Sequence, residues 1–201
     1  VEKNPLQGIK NNALGTYKFC RSILDYDFKG KFILISTDKA FRPTNIMGAT
    51  KRLSEVIVGS FSYHISALKI KNKLEEPKFT SVRFGNIFNS SGSVVPLFKE
   101  QIMKGGPITL TSNEVSRFFI TKEEAAHLVL HVCNLTKGGD IFLLDLGNPI
   151  RIKDLALKMI DQAGLKLRDA SSNGDIEIKI IGLKKGEKIS EALQINNKLF
   201  K

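Results

Sequence analysis

Phe32-Ile33-Leu34-Ile35-Ser36-Thr37-Asp38-Lys39-Ala40-Phe41-Arg42-Pro43-Thr44-Asn45-Ile46-Met47-Gly48-Ala49-Thr50-Lys51 decides how this chain folds. Its first four residues are a short, β-branched apolar run entered from Gly30, the pattern of a strand buried in a parallel sheet. A hydroxyl, a carboxylate and an amine follow at once, and in open α/β sheets the ligand crevice lies outside the carboxyl ends of the strands. Pro43 and Asn45 make a turn, after which Gly48 to Val58 carries helical periodicity and puts Lys51 in the first turns of a helix beside that loop. Ser36 to Lys39 alone would equally suit a polar loop that caps a helix. The turn and the helix lysine behind it tip the balance toward a site.

Outward from this centre, Leu6, Ile9, Leu14, Phe19, Ile23 and Leu24 trace a helix that Asn12, Gly15 and Thr16 interrupt. Phe79 to Phe84 reads as a second parallel strand that delivers Gly85-Asn86 to the same end of the sheet. The Lys-rich stretch 61–78 reads as an exposed insertion, with His64 inside it. Ser90-Ser91-Gly92-Ser93 offers unhindered N–H groups suited to an anion or to a plain turn, and Val95 starts a helix through Met103. Gly105-Gly106-Pro107 breaks that helix before a short strand, Ile108 to Thr111; another short strand or turn covers Arg117 to Thr121. Thr121 and Glu124 form a capping box that opens the helix to Cys133. Ile141 to Leu144 reads as a core strand, Ile152 to Ile160 as an amphipathic helix, and Ile176 to Ile180 as a half-exposed strand.

The 201 residues are 42% hydrophobic and 25% charged, an ordinary globular composition. No apolar run approaches the roughly 20 residues of a membrane-spanning helix, and Val1 to Pro5 read as a mid-stream opening with neither a starter Met nor a charged-then-apolar leader. The net charge of +11, from 31 Lys+Arg against 20 Asp+Glu, is spread through every segment without interleaved aromatics. That distribution argues against a nucleic-acid partner and for a solvated lysine-rich surface. Cys20 and Cys133 sit in apolar contexts without metal-type spacing, which fits free thiols in a reducing cytoplasm. His127 and His131 lie four apart on one helix, but no third ligand accompanies them, so no metal is assigned.

The pieces ILISTDKAFRPTNIMGATKR, VRFGNIFNSSGSVVPLFKEQI, GGPITLTSNEVSRFFIT, GDIFLLDLGNPIRIKDLAL and GLKKGEKISEAL, in this order, resemble the extended short-chain dehydrogenase/reductases. Within them the chain is most similar to the bacterial UDP-N-acetylglucosamine 4,6-dehydratases of polysaccharide biosynthesis. The resemblance implies an α/β fold: a partial Rossmann-like parallel sheet over 1–90 and 122–147, and a small nucleotide-sugar subdomain over 91–121 and 148–201. It implies NAD or NADP as cofactor, a nucleotide-sugar substrate, a homo-oligomeric full-length protein, and a cytoplasmic location or a cytoplasmic domain of an inner-membrane protein. The glycine-rich pyrophosphate fingerprint is absent, so the chain reads as a C-terminal fragment whose βαβαβ front half, with most of the cofactor site, lies elsewhere. Such a fragment is expected to be inactive alone.

By the same resemblance, Thr37, Asp38, Lys39 and Lys51 are catalytic. Asp38 is the acid for the departing C6 hydroxyl, Lys39 the base at C5, Thr37 the partner of the C4 oxygen, and Lys51 the group that holds the nicotinamide ribose. Asn12, Ser36, Lys51, Phe84 and Ile87 border the cofactor. Asn86, Ser93, Val95, Pro96, Thr109, Arg117, Lys184 and Glu187 contact the substrate, with Arg117 on the pyrophosphate and Glu187 on the ribose hydroxyls. Lys184-Lys185 stands where an arginine and a proline are usual. The superfamily places a tyrosine four residues before the helix lysine, whereas this chain has Met47, whose thioether is no base. The C4 proton then goes to Thr37, Asp38, Lys39 or a water chain. A dehydratase that also epimerises C5, a C4 epimerase, and a non-catalytic nucleotide-sugar or NAD-sensing module are the competing readings.

Overall fold

The computed structural model describes residues 1–67, 76–90, 92–143, 145–169 and 173–192. In chain order its helices are α1 (Pro5–Gly8), a π-helical segment (Ile9–Leu14), α2 (Gly15–Asp25), α3 (Ile46–Ala67), α4 (Val94–Met103), α5 (Lys122–Leu135) and α6 (Ile152–Gln162). Its strands are β1 (Lys31–Thr37), β2 (Lys78–Phe84), β3 (Asn86–Ile87), β4 (Ile108–Leu110), β5 (Ser116–Arg117), β6 (Phe119–Ile120), β7 (Ile141–Leu143), β8 (Ile150–Arg151), β9 (Leu167–Arg168) and β10 (Ile176–Ile180). They divide between two compact units, one built from Val1–Phe84 with Glu123–Asp145, the other from Gly85–Lys122 with Leu146–Glu191. Gly85 to Ser90 falls in the second unit, earlier than the boundary placed by sequence.

The first unit holds a parallel sheet in the order β1-β2-β7. β2 is its centre and is buried along most of its length, Thr80 and Ser81 included, because a parallel strand lies on each side of it. β7 is an edge strand with Ile141 exposed, which corrects the expectation of a core strand there. Cys20 and Ile23 of α2, Leu34 of β1, Val58 and Ile65 of α3 and Phe79 of β2 form one apolar cluster. α3 runs well past the expected insertion start at residue 61, because Phe61 and Ile65 prolong its apolar face onto this cluster. Residues 68–75 of the expected insertion lie outside the described residues, as do Ser91 and Leu144.

Asn4 caps the first helix by accepting the Gln7 N–H at 3.2 Å, with Pro5 at the first helical position. The interruption foreseen around Asn12 is a π-helical segment and not a break. The Asn12 carbonyl accepts hydroxyls from Thr16 at 2.5 Å and Ser54 at 2.7 Å, which offers it partners other than the usual backbone ladder. Gly48 permits the sharp entry into α3. A Cβ there would stand 2.3 Å from the Lys39 carbonyl oxygen, so only glycine lets the helix rest on the Asp38–Ala40 turn.

The second unit holds a parallel sheet, β4-β10-β9, and two strand pairs, β3-β6 and β5-β8. β10 is central here, although its sequence alternates like a half-exposed strand. Phe98, Ile108, Leu110, Val115, Phe119, Ile152, Ala156, Ile160 and Ile176 make its core. The segment from Arg117 to Thr121 is two strands with separate partners, since Arg117 pairs with Ile150 while Phe119 pairs with Asn86.

Candidate functional site

In the first unit, β1 ends at Thr37 and a 3-10 turn carries Asp38, Lys39 and Ala40. Asp38 is fully buried. Its Oδ1 accepts from the Thr37 hydroxyl at 2.9 Å and from the Lys39 ammonium at 2.9 Å. Its Oδ2 is buried with no hydrogen-bond partner. A buried carboxylate oxygen without a donor is costly unless it carries a proton or meets a ligand. Thr37 also accepts the Lys39 N–H at 3.4 Å, which closes the turn.

Lys51 enters from the start of α3, and its ammonium donates to the Ile35 carbonyl at 3.0 Å, two residues before Thr37. Burial pulls its pKa below the ordinary lysine value, and the Glu55 charge one helical turn on opposes that shift. An ammonium has three donors and one is accounted for here, which suits a contact with hydroxyls. Asn12 donates its amide to the Thr50 hydroxyl at 2.9 Å, so the π-helical segment is tied to the turn of α3 that carries Lys51. Phe84 ends β2 with its ring buried, and Ile87 is half-buried in β3.

The Ser36 hydroxyl, assigned to the cofactor from sequence, donates to Glu55 Oε1 at 2.6 Å. Glu55 is the residue that sequence reasoning missed. Its carboxylate receives Arg83 through two bonds, Nε to Oε1 at 2.8 Å and Nη2 to Oε2 at 2.7 Å, and Arg52 at 3.0 Å. Burial pushes the Glu55 carboxyl up, but hydrogen bonds from Arg83 and Ser36, with the Arg83 charge and Arg52, together hold it below the usual value. The signal was present in the sequence: Arg83 is a cation between Val82 and Phe84 of an expected strand, and Glu55 falls four residues after Lys51 on a helix.

A cleft of about 200 Å³ lies within the second unit. Six of the eight residues assigned to the substrate line it: Asn86, Ser93, Thr109, Arg117, Lys184 and Glu187. Val95 and Pro96 do not, because the first turn of α4 presents Val94 and Leu97 to the cleft instead. Arg117 is buried and already shaped: its Nη1 donates to the carbonyls of Ser116 at 2.7 Å and Ile189 at 3.1 Å, and its Nη2 lies 3.4 Å from Glu187 Oε1. Glu187 also accepts the Thr111 hydroxyl at 2.9 Å and the Lys184 N–H at 3.0 Å. Ser93 Oγ is buried without a partner. The cleft thus combines a fixed cation, a carboxylate and hydroxyls on an apolar floor, a combination that suits a polar, anionic ligand with hydroxyl groups.

The family model described as polysaccharide biosynthesis protein matches residues 1–201. The chain is 42% identical over 199 residues to the capsular polysaccharide biosynthesis protein CapD of Staphylococcus aureus, covering 99% of the chain and 31% of that protein. It is 32% identical over 194 residues to the inverting UDP-N-acetylglucosamine 4,6-dehydratase of Campylobacter jejuni, covering 96% and 52%. With the UDP-glucose 4-epimerase of Rickettsia rickettsii it shares 30% over 197 residues, covering 98% and 52%. Among solved structures, Pen from Bacillus thuringiensis superposes with a TM-score of 0.84 at 35% identity, covering 98% of this chain and 56% of that one. The chain therefore spans about half the length of most of these relatives, and less of CapD. The expectation that it is a C-terminal fragment finds no support in these matches and is withdrawn. Among the described residues, no helix is long and apolar enough to cross a membrane.

Proposed function

The chain belongs to the polysaccharide biosynthesis protein family, and from that premise we propose that the protein of which it forms part is an NAD(P)-dependent nucleotide-sugar 4,6-dehydratase acting on UDP-N-acetylglucosamine. One observation carries the reading: a fully buried aspartate with one oxygen held by Thr37 and Lys39 and the other unpartnered, at the carboxyl end of a parallel strand. Elimination of water across C5 and C6 requires an acid and a base side by side, and Asp38 and Lys39 are such a pair. NAD(P), when bound, supplies the hydride acceptor and donor at C4 and C6. Lys51, anchored on the Ile35 carbonyl with donors to spare, would hold the nicotinamide ribose, and Asn12 fixes the helix turn from which it projects.

Starting from the acid–amine tautomer of the Asp38–Lys39 ion pair, Asp38 protonates the departing C6 hydroxyl and Lys39 takes the C5 proton, which the C4 ketone has made acidic. The pair is left as carboxylate and ammonium. One proton crossing the 2.9 Å between Lys39 Nζ and Asp38 Oδ1 restores it. In the second unit, Arg117 meets the diphosphate, Lys184 adds a second cation, and Glu187 takes the ribose hydroxyls. The cleft is sized for part of a nucleotide and not for a whole nucleotide sugar. Incubating the full-length protein with UDP-N-acetylglucosamine and following the sugar by NMR should give the 4-keto-6-deoxy product, and Lys39→Ala should give none while still binding UDP. A C4 epimer as product would favour the epimerase reading. Unchanged sugar would favour a sensing module.

A further inference from the structure

Two atoms of Gln101 grip one residue of β4. The Thr109 backbone N–H donates to Gln101 Oε1 at 3.0 Å, and Gln101 Nε2 donates to Thr109 Oγ1 at 2.8 Å. A backbone N–H can only donate, so the amide oxygen must face it, and the amide nitrogen must then face the hydroxyl. Thr109 Oγ1 is therefore an acceptor from Gln101, and its single proton points elsewhere. Thr109 lines the cleft of the second unit and, among the described residues, donates its hydroxyl proton to no protein group. We propose that Gln101 is a positioning residue that fixes Thr109 as a hydrogen-bond donor into the cleft, so that the bound nucleotide meets it with an acceptor oxygen and never with an amino group. This rests on the nucleotide reading of the cleft. The acceptor is a carbonyl of the base or an oxygen of the diphosphate, and both share the chemistry that the clamp selects.

Substitutions at Gln101 separate this role from a plain tie between α4 and β4. Gln101→Glu keeps both contacts, but its carboxylate only accepts, so the Thr109 hydroxyl must turn its proton toward residue 101 and away from the cleft. Gln101→Leu drops both contacts and leaves the hydroxyl free to rotate toward a ligand. Calorimetric titration of the full-length protein with UDP should show Thr109→Val and Gln101→Glu each weakening binding about five- to tenfold, the size of one neutral hydrogen bond. Gln101→Leu should lose less than Gln101→Glu, and Thr109→Ser should stay within about twofold of wild type. A structural tie predicts the reverse order at position 101, with Leu worse than Glu. Uncharged uridine removes diphosphate repulsion as a cause of the Glu effect: a loss with uridine in both variants assigns the acceptor to the nucleoside, and a Thr109→Val loss confined to UDP and inorganic pyrophosphate assigns it to the phosphates. Wild-type affinity in both Thr109→Val and Gln101→Glu would overturn the proposal and leave the nucleotide reading standing. Failure of the wild-type protein to bind UDP would sink that reading and the clamp with it.

Discussion

Two buried carboxylates of the first unit, Asp38 after β1 and Glu55 on α3, are surrounded in opposite ways. Both oxygens of Glu55 are filled, by Ser36, by the fork of Arg83 and by Arg52. Asp38 has one oxygen filled and one left bare. A fully satisfied buried ion network fixes one arrangement of β1, α3 and β2, whereas a half-satisfied one costs stability that a purely structural residue has no reason to carry. In the proposed reaction, the contrast separates a residue that holds the site from one that acts in it.

The strongest way to break that contrast is to neutralise each carboxylate in turn. Asp38→Asn should lower the dehydration rate by about a thousandfold, within the range for a lost general acid, while the melting temperature and UDP binding stay near wild type. A large drop in melting temperature with the rate preserved would make Asp38 structural. Glu55→Gln should do the opposite and destabilise the fold by about 3 kcal/mol, the cost of leaving a buried partner charge uncompensated, as read by denaturant unfolding. The sign of the pH dependence follows from the lowered carboxyl: the stability that Glu55 contributes is fully present above its unfolded pKa, roughly 4.3, and is lost as pH falls through the depressed folded value. Wild type and Glu55→Gln should therefore converge in stability toward strongly acidic pH.

The smallest effect sharpens the contrast and concerns Lys51. In the proposed reaction its ammonium form is the useful one, and burial lowers its pKa while Glu55 partly restores it. The rate should then fall on the alkaline side at a pH below that of a free lysine, about 10.4. Glu55→Gln should move that limb lower still, since the raising charge is gone. A limb that stays in place would show that Glu55 acts on the fold alone.

The strand, turn and helix around Thr37 to Lys51 were legible because apolar runs, Pro43 and helical periodicity are local signals. Arg117, Lys184 and Glu187 stand out in the sequence as charges in or beside short apolar segments, and the fold brings them to one cleft. What escaped was set by packing over distance. The extension of α3 through Ala67 depends on Ile65 reaching Cys20 and Phe79, and β10 is central only because β4 and β9 flank it. Ser36 read as a cofactor contact because nothing local reveals that Glu55 folds back onto it. Val95 and Pro96 were misplaced by a single residue of helical phase, which turned Val94 and Leu97 to the cleft.

The most direct test follows one hydrogen. UDP-N-acetylglucosamine deuterated at C4, turned over by the full-length protein, should yield a 4-keto-6-deoxy sugar whose C6 methyl carries the deuterium. Deuterium returned to C4 in an epimerised sugar, or left in unreacted substrate, would contradict elimination by Asp38 and Lys39.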